Sequence, residues 1–133
     1  MAAENYHFTV QGRNSLFDAA GRQRGSETDH VVELQLVVAA LNMLPLTTYS
    51  REGWETDLVD FFNQVLNLQS LPRDENLEKG QAVTKFLREG SDCLDEEEEK
   101  WIRSIRQHWS EISHHLTNFV RFKDALDAML GVE

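Results

Sequence analysis

Cysteine is nearly absent: Cys93 stands alone, so no disulfide framework and no cysteine-based zinc site can be built from this chain. Proline is scarce too. Pro45 and Pro72 are the only two, and each falls where a helical or extended run would stop. Long apolar runs are missing. The longest, Val31 to Leu46, is broken by Glu33, Gln35 and Asn42, well short of the roughly 18 uninterrupted residues of a membrane span. The opening MAAENYHF lacks a basic head followed by an apolar stretch, so no signal peptide is expected. A reducing cytoplasm or nucleus fits these absences, and a secreted toxin domain trimmed of its leader would fit them equally. No membrane partner is expected.

Positive charge is also in short supply. Thirteen Lys and Arg face 23 Asp and Glu, a formal net charge of -10. Residues 1–90 hold 8 basic and 13 acidic residues and residues 91–133 hold 5 and 10, so each part carries -5. Phosphate contacts are made by Lys and Arg, so tight non-specific binding to duplex DNA is not expected from this domain alone. Two local groups of cations remain: Arg13, Arg22 and Arg24, and then Lys79, Lys85 and Arg88.

What is present suits one domain. The chain has 133 residues, 41% of them hydrophobic, enough for a real core. Asn5 to Val10 (NYHFTV) reads as a short strand. Leu34, Val37, Val38 and Leu41 recur at helical spacing, predicting a helix over 31–44 that ends before Pro45. A second helix fits 54–66, with Trp54, Leu58, Phe61 or Phe62, and Val65 on one face. Asn67 to Pro72 is extended or looped. A third helix starts near Asp74 and stops at Gly90. The acidic tract Asp95 to Glu99 suits the first turn of a long helix, because negative charge there offsets the helix dipole. Ile102, Ile105, Trp109, Ile112, Leu116 and Phe119 then form an apolar stripe that faces a core or a partner helix. A final segment, 122–130, ends at Gly131. The expected class is mainly α with a small β element.

Two stretches carry chemistry-bearing residues: Thr28-Asp29-His30, and NLQSLPRDENLEKG from Asn67 to Gly80. Together they resemble the HNH members of the His-Me finger nucleases. That family's pattern is an Asp-His pair, an Asn within an NL..L phrase, and a His or Asn that is often followed by KG. Asn67-Leu68 with Leu71 matches the middle phrase, Asn76 the last position, and Lys79-Gly80 the phrase after it. The likeness runs from Thr28 to Gly80 and leaves the C-terminal third unmatched. It implies a ββα-metal core over residues 1–90 with a helical insertion between His30 and Asn67, and a C-terminal helical extension over 91–133.

The resemblance further implies hydrolysis of phosphodiester bonds in DNA or RNA with one divalent metal, Mg2+ or Mn2+, with Zn2+ as a further candidate. His30 would be the general base, a role that suits a side chain titrating near neutrality. Asp29 and Asn76 would supply hard oxygen ligands to the metal. Asn67 would orient the His30 ring by a hydrogen bond. Lys79 would reach a phosphate oxygen, and Glu33, one helical turn beyond Asp29, is a further candidate ligand. Arg13, Arg22, Arg24, Lys85 and Arg88 would hold the substrate backbone.

Simpler readings compete for the same residues. Asp29 or Asn76 could cap a helix, since both types accept hydrogen bonds from free backbone N–H groups. His108, Glu111 and His115 share one flank of the long helix at a spacing that can hold zinc, but fit a solvated edge better. Glu96 to Glu99 lack the alternating ligands and Gly of a calcium loop. Taken with the net charge, the Trp-containing C-terminal stripe (Trp101, Trp109) supports an alternative function: a non-catalytic helical module that binds a protein partner through its C-terminal helix.

Overall fold

A computed structural model describes residues 26–132. The expected strand over Asn5 to Val10 lies outside the described residues, as do Arg13, Arg22 and Arg24. In chain order the elements are β1 (Ser26–His30), α1 (Leu34–Asn42), α2 (Trp54–Phe62), β2 (Leu68–Pro72), α3 (Arg73–Glu89), α4 (Glu96–Ile112) and α5 (Val120–Leu130). Short 3-10 turns at Val65–Asn67, Ser91–Cys93 and Ser113–His115 join them. The architecture is mostly helical with one small two-stranded antiparallel sheet, as the sequence suggested.

β1 and β2 are paired across an insertion. Glu27 faces Leu71, Thr28 faces Ser70, Asp29 faces Gln69 and His30 faces Leu68. Helices α1 and α2 form the connection between the two strands, and α3 follows β2 without a gap. The order is therefore strand, helical insertion, strand, helix.

The first helix is shorter than its apolar periodicity implies. It begins at Leu34 rather than Val31, because the preceding backbone is held in other bonds. Val31 N–H donates to the Asn67 carbonyl at 2.8 Å, and Val32 N–H donates to Asn67 Oδ1 at 2.9 Å. The carbonyls of His30 and Val31 accept from Lys79. Asp29 is consequently a strand residue and caps no helix. Asn76 lies in the second turn of α3, past the capping position that Pro72 occupies. Gly90 closes α3 at φ 87°, a left-handed value that a residue with a Cβ adopts only under strain.

The core draws on every helix. Leu36, Val37 and Leu41 of α1 meet Phe61 and Phe62 of α2, Val83 and Phe86 of α3, the α4 stripe, and Phe122, Leu126 and Leu130 of α5. Trp109 sits at its centre, fully buried. Phe62 stacks on it at 5.9 Å, Phe122 meets it edge-on at 6.4 Å, and its Nε1–H donates to Asp127 Oδ1 at 2.7 Å. That bond satisfies the one polar atom that a buried Trp carries. The whole stripe from Ile102 to Phe119 is buried within the chain itself, so its apolar side is not open to a partner helix. Val65 is the exception to the α2 reading. It is 76% exposed, because the helix ends at Phe62 and the following 3-10 turn rotates it outward.

The acidic tract does more than balance a dipole. Asp95 caps α4 by accepting from Glu98 N–H at 2.8 Å, and the Glu98 side chain accepts in return from Asp95 N–H at 2.8 Å. This reciprocal pair is a capping box. Among the described residues, no helix is long and apolar enough to cross a membrane.

Candidate functional site

Asp29, Glu33, Lys79 and the His30 carbonyl meet where the sheet packs on α3, whereas Asn76 lines a cleft that Asp29 and His30 do not. Lys79 is the organising side chain. It projects from α3 into the interior, where it is 1% exposed. An ammonium has three hydrogens to give. Here they reach Asp29 Oδ2 at 2.5 Å, the His30 carbonyl at 2.6 Å and the Val31 carbonyl at 2.9 Å. Glu33 Oε1 stands slightly farther off, at 3.4 Å. Lys79 therefore pairs with the buried Asp29 carboxylate, stands near that of Glu33, and pins the end of β1 to α3. It does not reach solvent, so the expected contact with a substrate phosphate is not available to it in this arrangement.

Asp29 is almost completely buried. Its Oδ2 takes a second hydrogen bond from Gln69 Nε2 at 2.7 Å. Gln69 is its cross-strand partner, which puts both side chains on the same face of the sheet. Oδ1 differs: it is buried and has no hydrogen-bond partner among the described residues. One carboxylate oxygen is thus clamped by Lys79 and Gln69, while the other accepts no hydrogen bond from a described donor, and the Glu33 carboxyl lies within hydrogen-bonding reach of Asp29.

Glu33 is 6% exposed and lies beside this cluster. Burial pushes its carboxyl up to about 7. The Lys79 ammonium pulls it down and the Asp29 charge pushes it up again. Near neutral pH this group exchanges its proton, whereas an exposed glutamate would be ionised throughout.

His30 is equally buried. Its Nε2 lies 2.7 Å from Asn63 Oδ1. Asn67, the residue expected to orient the ring, is engaged elsewhere. Its Oδ1 accepts from Val32 N–H, and its Nδ2 donates to the carbonyls of Phe62, at 3.0 Å, and Val32, at 3.3 Å. The Asn67 amide thus ties the insertion to the sheet at both its entry and its exit. Its role here is to hold the loop, with the ring contact passing to Asn63.

Asn76 is half-buried on α3, one turn before Lys79, and faces an open cleft of about 790 Å³. Glu33 lines the same cleft, so one of its flanks meets Lys79 and the other the opening. Lys85 and Arg88 also lie along it, with Arg73 at the far end. The sequence group of Lys79, Lys85 and Arg88 is therefore divided between the interior and the cleft. Lys85 is paired with Glu98 at 3.1 Å, which holds its ammonium above the usual range, and Arg88 is paired with Glu89 at 2.6 Å.

The remaining candidates do not assemble. His115 falls in the 3-10 turn beyond the end of α4, so the row with His108 and Glu111 is broken. Among the described residues, no three His, Cys, Asp or Glu side chains gather to hold a metal by themselves. The donor set around Asp29 suits a different arrangement. Mg2+ commonly takes one or two protein oxygens and completes its octahedron with waters and substrate phosphate. An orphaned carboxylate oxygen fits that need.

Two contributors carried no sequence signal of their own. Asn63 belongs to no motif, and Gln69 becomes meaningful only once the register of β1 on β2 is known. Comparison of the chain with protein-family models, curated proteins and solved structures found no match.

Proposed function

We propose that this protein is a metal-dependent phosphodiester hydrolase acting on DNA or RNA, with a degenerate ββα-metal core of the His-Me finger type. The observation that carries this reading is the state of Asp29. It is buried, held on one oxygen by Lys79 and Gln69, and bonded to no described donor on the other, with His30 next to it in the chain. Supporting it is the order of elements, two antiparallel strands followed directly by a helix that bears Asn76 and Lys79.

Within this reading His30 accepts the proton of the attacking water. Asp29 Oδ1 is the protein's anionic metal ligand, and Asn76 of α3 would add a carbonyl oxygen. A divalent ion, when bound, would stabilise charge on the phosphate and the leaving oxygen. Lys79 fixes the direction of the Asp29 carboxylate, and Asn67 fixes the backbone on which His30 and Val32 sit. The exposed Arg73 and Arg88 and the half-buried Lys85 line the approach beside α3.

A second reading has one observation in its favour. His30 is only 1% exposed, which suits a residue that holds the fold of a non-catalytic helical module. The two are separated by digestion of plasmid DNA and of RNA in Mg2+ or Mn2+. The nuclease reading expects cleavage by the wild type, lowered on the order of 10²–10⁴-fold in His30→Ala with the circular dichroism spectrum retained. Cleavage that is unchanged in His30→Ala would remove His30 from the mechanism. No cleavage by the wild type with any divalent metal would favour the module.

A further inference from the structure

We propose that Asn63 is the positioning residue for His30, holding the imidazole in the tautomer with hydrogen on Nε2 and the lone pair on Nδ1. This rests on the reading of His30 as the general base. The site motif does not include Asn63, and the residue that does belong to it, Asn67, is fully engaged with main-chain atoms.

The geometry is specific. Asn63 is the residue that closes α2, and its own N–H is fixed to the Val59 carbonyl at 3.0 Å. Its immediate neighbours Phe61 and Phe62 are anchored in the core, so the backbone that carries the amide cannot drift. Oδ1 lies 2.7 Å from Nε2, the length of a good hydrogen bond. A carbonyl oxygen can only accept, so Nε2 must donate. In a neutral ring the other nitrogen then bears the lone pair. A buried imidazole can use only the nitrogen that its partner leaves basic, and that choice is made by the hydrogen bond on the opposite side of the ring.

The helical insertion therefore contributes to the site. Asn63, at the end of α2, supplies the acceptor for Nε2. Lys79 grips the His30 main-chain oxygen and Asn63 grips the ring, so the two ends of the residue are set by different elements.

The test is the tautomer of His30, read without substrate or metal. The chain has five histidines, and with 15N-histidine labelling the His30 signals are assigned by their loss in His30→Gln. At a pH well above the ordinary histidine range, the wild type is expected to show protonated Nε2 and unprotonated Nδ1. Asn63→Ala should lose that single pattern, and Asn63→Asp, which keeps an acceptor oxygen, should retain it. In the cleavage assay Asn63→Ala should lower kcat by about 10- to 100-fold with KM within about twofold, as expected when a general base is misoriented and substrate contacts are kept. A wild-type ring protonated on Nδ1 would overturn the proposal, and this result does not depend on any variant folding. A single Nε2–H pattern and full kcat in Asn63→Ala would overturn it too. The absence of any wild-type cleavage would instead strike at the nuclease reading, which the tautomer measurement does not touch.

Discussion

At the scale of single residues, the site is dominated by one buried ammonium. Removing Lys79 leaves the buried Asp29 carboxyl without its cation and two main-chain carbonyls without their donor. Breaking a buried pair by deleting one partner typically destabilises by about 3–5 kcal/mol. Lys79→Met should therefore lose roughly that much in urea denaturation, whereas Lys85→Met, which breaks a half-buried pair with Glu98 at the rim of the cleft, should change stability by about 1 kcal/mol or less. Equal effects of the two substitutions would mean that the Lys79 cluster does not exist as described.

Glu33 gives this cluster a pH dependence whose sign is set by burial. Its carboxyl lies at about 7 in the fold and near 4.5 when exposed. Between those values the folded chain binds a proton that the unfolded chain has released, so stability falls as pH rises through this window. The penalty is absent below about 4.5 and complete above about 7. Without added divalent metal, Glu33→Gln should flatten the decline in stability between pH 4.5 and 7, relative to the wild type. A wild-type profile that rises across the same window would contradict the placement of Glu33.

Much of this residue-level picture was readable beforehand, and the part that was not has a clear cause. Asp29, His30, Asn67, Asn76 and Lys79 were singled out because their types and spacing matched a motif. Their partners were not legible, since a motif names residues without saying which atoms meet. Asn67 and Asn63 are four apart and chemically identical. Only the packing of α2 decides that Asn63 reaches the ring and Asn67 the backbone.

At the scale of elements, periodicity locates four of the five α-helices of the described residues, with some ends displaced, and gives the last only as a segment. The α4 stripe announced itself because its apolar positions step by three and four and all face one core. The start of α1 was placed three residues early. Val31 and Val32 continue its apolar pattern, yet their main-chain groups are taken by Asn67 and Lys79 from remote parts of the chain. Strand β1 gave little local warning, because Ser26 to His30 is short and polar and acquires its structure only from pairing with β2. The Asp95 capping box makes a separate prediction here. Asp95→Ala should destabilise by about 1 kcal/mol, seen as an earlier thermal transition with α4 still formed in the native state. No shift in the transition would show that the acidic turn acts through its charge alone.

At the scale of the whole molecule, a net charge of -10 surrounds the proposed site with a repelling surface. Binding to a polyanion must then rest on a few cations near the cleft. On duplex DNA each phosphate contact contributes about -0.9 to the slope of log affinity against log salt. Anisotropy titrations should give a slope corresponding to about two to four contacts. Neutralising the exposed pair as Glu96→Gln with Glu97→Gln should raise affinity while leaving the Asp95–Glu98 cap intact. A steep slope in the wild type would place a far more basic surface on the molecule than its described residues provide.

The most direct measurement of the central claim is anomalous diffraction from crystals soaked in Mn2+. The expected result is one strong peak within coordination distance of Asp29 Oδ1, about 2.0–2.4 Å, on the side of His30 and α3, and its loss in Asp29→Ala. A peak confined to the exposed turn Glu96 to Glu99, or none on the chain at all, would contradict the assignment of Asp29 and His30 as a metal-dependent hydrolytic site.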